Sequence, residues 1–450
     1  MIASINPFSG ELLKVYTAIS SKEITEKILN ADVAFHVWKK IPFADRKNMM
    51  MNLSAELFRN KEQHAKLITL EMGKLLTEAF LEIEKCARMC KYYAENAEVF
   101  LSDKQIETDA EKSFIIYEPM GVVLSVMPWN FPYWQVLRFA VPALMAGNVC
   151  LLKHASNVPQ CAMKIESLIH DCRFPENVFQ TLLIESDKVA EVISNPIVKA
   201  ISVTGSERAG SMIAALAGKQ IKKTVLELGG SDPFIVLDDA DIHKAIVNAV
   251  KSRLGNAGQS CIAAKRFIVA EKIQEEFIQQ LKAKFILLKA GDPMLAETQI
   301  GVMAREDLAV ELEEQMDKSI ALGAQLICGG KRVKTFFEPT ILSQVKPGMP
   351  AFDEELFGPV AAVTSFNTIE QAIQLANESR FGLGASVWTT DLPKAFQIAR
   401  QIEAGSVYIN SLMKSDQRLP FGGTKKSGYG RELGQQGIYE FVNMKSVLMN

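Results

Sequence analysis

Short apolar runs alternate with helix-like segments along most of this chain, and few folds accept that order. Residues 121–127, 149–153, 198–204 and 225–228 read as strands in the first half, and 267–270, 325–328, 360–366 and 385–389 continue the pattern in the second. Several are apolar at successive positions, which marks strands covered on both faces. Helix-like stretches separate many of them, so parallel sheets flanked by helices are expected, in an α/β fold with two Rossmann-like units. A chain of 450 residues with 48% hydrophobic and 23% charged content has the length for two large cores.

The first hundred residues are helical in pattern. Ser20 and Glu23 make a capping box, and Ile24, Ile28, Ala31, Phe35 and Trp38 recur on one face of the helix that follows. A long helix is expected over 77–100, with its aromatic and Met positions in core packing. Residues 112–118 form an isolated strand between polar segments, and 439–448 ends the chain with short apolar runs. Both are candidates for arms that pair outside their own unit.

Loops at the strand ends carry the chemistry-bearing residues. Pro128 and Pro132 rigidify the loop that holds Trp129 and Asn130 after the first strand, where open α/β sheets place functional groups. Strand 198–204 runs into Gly205, Ser206 and a helix start, a physical phosphate site without the usual GxGxxG spacing. Glu227 sits inside an apolar run before Gly229 and Gly230, either as a buried carboxyl of raised pKa suited to a general base or as an edge residue facing water. Cys261 follows Asn256, Ala257 and Gly258, small residues expected to leave its backbone uncrowded, so that a substrate and a backbone N–H can meet at the thiol. It is the candidate nucleophile. The other six cysteines, Cys86, Cys90, Cys150, Cys161, Cys172 and Cys328, read as structural.

Composition narrows the partners. A net charge of −2 with no basic block argues against nucleic acid and for a small-molecule ligand. The longest apolar stretch, 139–152, is broken by Pro142, Gly147 and Asn148, and residues 1–7 lack a signal-peptide pattern, so no membrane partner is expected. Cysteines without CxxC pairs or His/Cys ligand spacing point to a reducing cytoplasm and to no metal site.

In order along the chain, Pro128-Trp129-Asn130-Phe131-Pro132, Leu151-Leu152-Lys153, Val203-Thr204-Gly205-Ser206, Leu226-Glu227-Leu228-Gly229-Gly230, Gly258-Gln259-Ser260-Cys261, Glu355-Leu356-Phe357-Gly358-Pro359 and Pro420-Phe421-Gly422-Gly423 resemble the aldehyde dehydrogenase superfamily. Lys153-His154-Ala155-Ser156-Asn157, Cys261-Ile262-Ala263-Ala264-Lys265-Arg266-Phe267 and Lys414-Ser415-Asp416 are most similar to its short succinate-semialdehyde dehydrogenases. The resemblance implies a cofactor-binding domain at 1–111 and 120–227, a catalytic domain at 228–430, and β-strand oligomerisation segments at 112–119 and 431–450, in a homodimer or homotetramer.

It further implies that Cys261 attacks an aldehyde carbonyl, that the Asn130 amide and the Cys261 N–H hold the oxyanion, and that Glu227 activates water against the thioester. Trp129, Lys153, Ser156, Gly205, Ser206, Leu228, Glu355 and Phe357 would bind the cofactor. Many NAD-preferring relatives carry a glutamate where Ser156 stands; a serine beside Lys153 has room for a 2′-phosphate, so NADP is expected over NAD. Arg138, with Ser415 and Trp134, would bind the carboxylate end of a semialdehyde. The expected reaction is succinate semialdehyde to succinate. The rivals are glutarate semialdehyde or another small aldehyde with NAD, and a non-enzymatic scaffold protein, against which the joint presence of Cys261, Glu227 and Asn130 argues.

Overall fold

The computed structural model describes residues 2–450. Two sheets organise them. In the six-stranded sheet the order is Gly428–Tyr429, Lys223–Glu227, Val198–Thr204, Val122–Met127, Val149–His154, Phe179–Thr181. All neighbours run parallel except Gly428–Tyr429, which returns from late in the chain to pair antiparallel with Lys223–Glu227. The seven-stranded sheet runs Gln325–Cys328, Thr340–Ser343, Val360–Phe366, Ala264–Ala270, Asp232–Val236, Gly384–Trp388, Ser406–Ile409 and is parallel apart from its first pair. The central strands are buried along their whole length, as expected for a sheet packed on both faces.

Two strands begin earlier than their apolar runs suggest. The strand expected from Phe267 starts at Ala264 and includes Lys265 and Arg266, both fully buried. Charged residues look like loop in a sequence, but here backbone carbonyls receive them. Arg266 donates to Ser231 O at 2.9 Å, Leu375 O at 2.7 Å and Ala376 O at 2.9 Å. Likewise the strand expected from Val225 starts at Lys223.

The helices Ser21–Trp38, Phe43–Arg59, Lys61–Met72 and Leu76–Phe100 pack against the six-stranded sheet in one apolar core. The first carries the expected capping box: Glu23 N donates to Ser20 Oγ at 3.3 Å and Ser20 N to Glu23 Oε2 at 2.7 Å. Strand Lys112–Pro119 pairs antiparallel with the C-terminal strand Val442–Met449, from Pro119 opposite Val442 to Lys112 opposite Met449. The far side of Val442–Met449 is an open edge, and Met444 and Leu448 on that strand are exposed. Among the described residues no helix is long and apolar enough to cross a membrane.

In the six-stranded sheet the chain runs outward from Val122–Met127 to Phe179–Thr181, then returns to place Val198–Thr204 on the opposite side of the first strand. This switch point opens a crevice at the C-terminal ends of the strands. The loops starting at Pro128 and Gly205 emerge there, facing Leu228 and the loop that carries Cys261 across a shared cavity.

Candidate active site

That cavity has a volume of about 1130 Å³, slightly above the usual range of small-molecule sites. Trp129, Asn130, Gly205, Ser206, Leu228, Cys261, Glu355 and Phe357 all reach its wall, so residues spread from 129 to 357 converge on one space. Trp129 and Phe357 meet edge to face, with centroids 5.8 Å apart. Ser206 caps helix Glu207–Lys219, its Oγ accepting from Ala209 N at 3.3 Å, and this helix N-terminus opens onto the cavity. The unpaired N–H groups of a first helical turn suit an anion.

The turn before Cys261 is tighter than its small residues suggest. Asn256, Ala257 and Gly258 have φ of 56°, 51° and 75°, three left-handed residues in a row. A Cβ on Gly258 would lie 2.3 Å from Gly358 O. The small residues therefore admit a crowded turn, not an open approach. Side chains hold it from every direction. Glu78 accepts from Asn256 N at 3.0 Å, Gln259 Oε1 accepts from Ala304 N at 2.8 Å, and the buried Arg253 donates to Gly258 O at 2.6 Å and Ala264 O at 3.2 Å.

Cys261 is half-buried at the end of this turn. Burial pushes its thiol up to about 12, against the opposing pull of Arg138 and Lys265. Asn130 spends one N–H on Gln259 O at 3.1 Å, and among the described residues no hydrogen bond engages the Cys261 backbone N–H. The second Asn130 N–H and the Cys261 backbone N–H are thus left open on two residues that line the same cavity.

Glu227 is not among the residues that line the cavity. Its carboxyl is fully buried without a hydrogen bond, and a Cβ on Gly422 would come within 2.8 Å of Oε1. Burial first, then Glu432, hold its pKa well above the ordinary value, with Arg138 and Arg431 opposing. Arg138 Nε forms a buried ion pair with Glu432 Oε2, and Nη2 donates to Thr204 Oγ1 at 3.3 Å. Burial also raises Glu432, yet a guanidinium stays charged and Glu432 touches it directly. Glu432 is therefore the carboxylate and Glu227 the protonated acid.

Arg138, expected to grip a substrate carboxylate, pairs with Glu432, and neither it nor Trp134 and Ser415 line this cavity. Trp134 and Ser415 do come together, through a residue that the pattern of the chain did not single out. Lys85 Nζ donates to Ser415 Oγ at 2.5 Å and lies 3.9 Å over the Trp134 ring, with no carboxylate partner among the described residues. Burial and Arg138 lower its pKa to about 8. Lys85 belongs to a signal that was there to find. Glu78, Glu82 and Lys85 share one face of helix Leu76–Phe100 at helical spacing, and each touches a different part of the site. Glu82 accepts from Tyr133 N at 2.9 Å and Trp134 N at 3.0 Å, fixing the end of the Asn130 loop.

Lys153 is buried next to the Asn130 loop, its strand paired with Val122–Met127, and its ammonium makes no hydrogen bond or ion pair among the described residues. Ser156 is exposed in the turn after it. A free cation, a capped helix N-terminus and a cavity of this size fit a phosphorylated dinucleotide.

The aldehyde dehydrogenase family model matches residues 1–447. A Synechocystis sp. protein named probable succinate-semialdehyde dehydrogenase (NADP(+)) is 50% identical over 449 residues, 99% of each chain. A Mycobacterium bovis protein named succinate-semialdehyde dehydrogenase (NADP(+)) 1 is 46% identical over 453 residues, again 99% of each. The crystal structure of succinic semialdehyde dehydrogenase from Streptococcus pyogenes in complex with NADP+ superposes with a TM-score of 0.98 at 36% identity, covering 100% of both chains.

Proposed function

The chain belongs to the aldehyde dehydrogenase family, and from that premise we propose that it oxidises succinate semialdehyde to succinate with NADP. The observation that carries the chemistry is the placement of the Cys261 thiol on the cavity wall beside Asn130 and a free backbone N–H. The substrate and cofactor follow from relatives that span the whole chain and bear those names.

Cys261, once deprotonated, adds through sulfur to the aldehyde carbon, and the charge that forms on oxygen is taken by the Asn130 amide and the Cys261 N–H. Lys153, Ser156, Ser206, Glu355 and Phe357 would hold NADP, which when bound would supply the acceptor for the hydride that the Cys261 adduct gives up. Glu227 then takes a proton from the water that attacks the thioester carbon, and the carbon–sulfur bond breaks to leave carboxylate and Cys261. That role requires Glu227 to leave its buried position and give up its proton. The substrate carboxylate is received by Lys85 and Ser415, beside Trp134, with Arg138 behind them held by Glu432. Residues 1–111 and 120–227 form the cofactor domain and 228–430 the catalytic domain, while the edge of Val442–Met449 pairs with a second copy in a cytoplasmic homodimer or homotetramer.

Initial rates with succinate semialdehyde, glutarate semialdehyde and butanal, each with NADP and NAD, test this reading. The expected result is the highest kcat/KM for succinate semialdehyde with NADP, and a loss of about tenfold or more in Lys85→Met for the carboxylated aldehydes alone. Equal or better turnover of butanal, or higher efficiency with NAD, overturns the substrate or the cofactor assignment respectively.

A further inference from the structure

Lys265 is the second residue of the strand Ala264–Ala270 in the middle of the seven-stranded sheet, and its side chain is fully buried. A charge in such a strand is costly unless every donor is met. An ammonium has three N–H donors, and three oxygens surround this one: Ser260 O at 2.9 Å, Cys261 O at 2.8 Å and Glu355 Oε1 at 3.1 Å. Two belong to the peptides on either side of the nucleophile. The third belongs to a carboxylate on the cavity wall, which also accepts from Gly230 N at 3.0 Å.

The surroundings leave this knot little freedom. A Cβ on Gly230 would lie 2.6 Å from Cys261 O, and one on Gly229 would lie 2.4 Å from Glu355 Oε2, so the loop after Lys223–Glu227 is pressed against both partners of Lys265. Asp232 is buried nearby, with Oδ1 accepting from Gly384 N at 3.0 Å. Glu355 makes the direct contact with the ammonium, while Asp232 acts through space only.

We propose that Lys265 is a positioning residue that ties the peptide carrying the Cys261 thiol to Glu355, so that one ammonium sets the nucleophile against the nicotinamide end of the cofactor site. The inference rests on the reading of Cys261 as nucleophile and Glu355 as cofactor ligand. A simple structural cation would need partners, but not partners on both reacting sides of the cavity. The same charge favours the thiolate, since Lys265 pulls against the burial of Cys261.

Two variants test it: Lys265→Met, which keeps the length and removes charge and donors, and Lys265→Gln, which keeps a donor. Cys261 alkylation by iodoacetamide, followed against pH by mass spectrometry of its peptide, needs neither substrate nor cofactor. In folded Lys265→Met the alkylation profile moves to higher pH by about one unit, and kcat falls about a hundredfold with both succinate semialdehyde and butanal, as for a misplaced reacting group, while KM for NADP changes less than about threefold. Lys265→Gln recovers part of kcat but not the alkylation profile. A Lys265→Met profile that overlays wild type, with kcat within about threefold, overturns the proposal. So does insolubility of both variants, which assigns Lys265 to folding alone. Failure of wild type to turn over succinate semialdehyde counts against the proposed substrate and leaves the alkylation result standing.

Discussion

The turn before Cys261 and the ionic cluster behind Glu227 are both buried and polar, and they differ in how completely their groups are met. Around the turn, Arg253 and Lys265 donate to backbone carbonyls, while Gln259 and Glu78 accept from backbone N–H groups. Around Glu227, the carboxyl has no hydrogen bond among the described residues, and Arg138 pairs with the Glu432 carboxylate rather than with Glu227. A buried network in which most groups are met, all but Arg253 Nε and Asn256 Oδ1 around the turn itself, holds one geometry, whereas an acid with neither oxygen hydrogen-bonded is kept in place by packing alone and gains on reaching water or a partner. Cys261 is therefore held and Glu227 is free to leave its place, as the proposed roles of nucleophile and base require.

Replacing the base probes the movable side with the largest effect. Glu227→Gln is expected to lower steady-state kcat by about a hundredfold or more, the loss of a general base, while Cys261 alkylation proceeds as in wild type. A variant that alkylates slowly as well would join the two regions into one unit. The same substitution has a signature in stability. Glu227 in the fold keeps its proton well above its ordinary value of 4.5, whereas the unfolded chain releases it near that value. The native state then binds more protons than the unfolded one, so stability falls as pH rises from about 4.5 toward the folded pKa. Glu227→Gln lacks this penalty, and its urea midpoint should gain on wild type between about pH 5 and pH 8. A constant offset across that range would mean that Glu227 is ionised in the fold.

Glu432→Gln sharpens the comparison from the other partner. Removing the carboxylate that Arg138 touches leaves Glu227 as the nearest acid to an uncompensated guanidinium, and also removes a repulsion that raises it. Both changes lower the Glu227 pKa, so the acid limb of the kcat profile should move down by about one unit. Movement upward, or none, would show that Arg138 and Glu432 do not govern the base.

The two regions also differ in how far a sequence exposes them. Asn130, Glu227 and Cys261 stand in loops at strand ends, among prolines and glycines that mark turns, and the alternation of strands and helices places those loops together. Lys265 and Glu432 carry no local mark, and Lys85 carries only its helical spacing from Glu78 and Glu82. Lys85 looks like a solvated position on a long helix, and its partner Ser415 lies 330 residues away. Lys265 and Arg266 look like the end of a strand because a charge within an apolar run signals exposure, and only the carbonyls of neighbouring loops make them buried. Glu432 gains its role from Arg138 on a distant helix. Local pattern reports which face an element buries, while a buried charge is decided by contacts between distant segments.

The smallest expected effect tests whether the fixed region stores strain that catalysis uses. Ala257 holds φ 51° and ψ 34°, the left-handed region, which costs an alanine about 1 kcal/mol. Glycine removes that cost but adds about as much backbone entropy to the unfolded chain. Ala257→Gly should therefore change the urea midpoint little, by less than about 0.5 kcal/mol, and kcat by less than about twofold, because Arg253, Gln259 and Lys265 hold the turn regardless of its intrinsic preference. A stabilised variant with kcat reduced tenfold would mean that the strain itself aims the thiol. The satisfied hydrogen bonds around the turn would then be what keeps that strain in place, rather than what positions Cys261 directly.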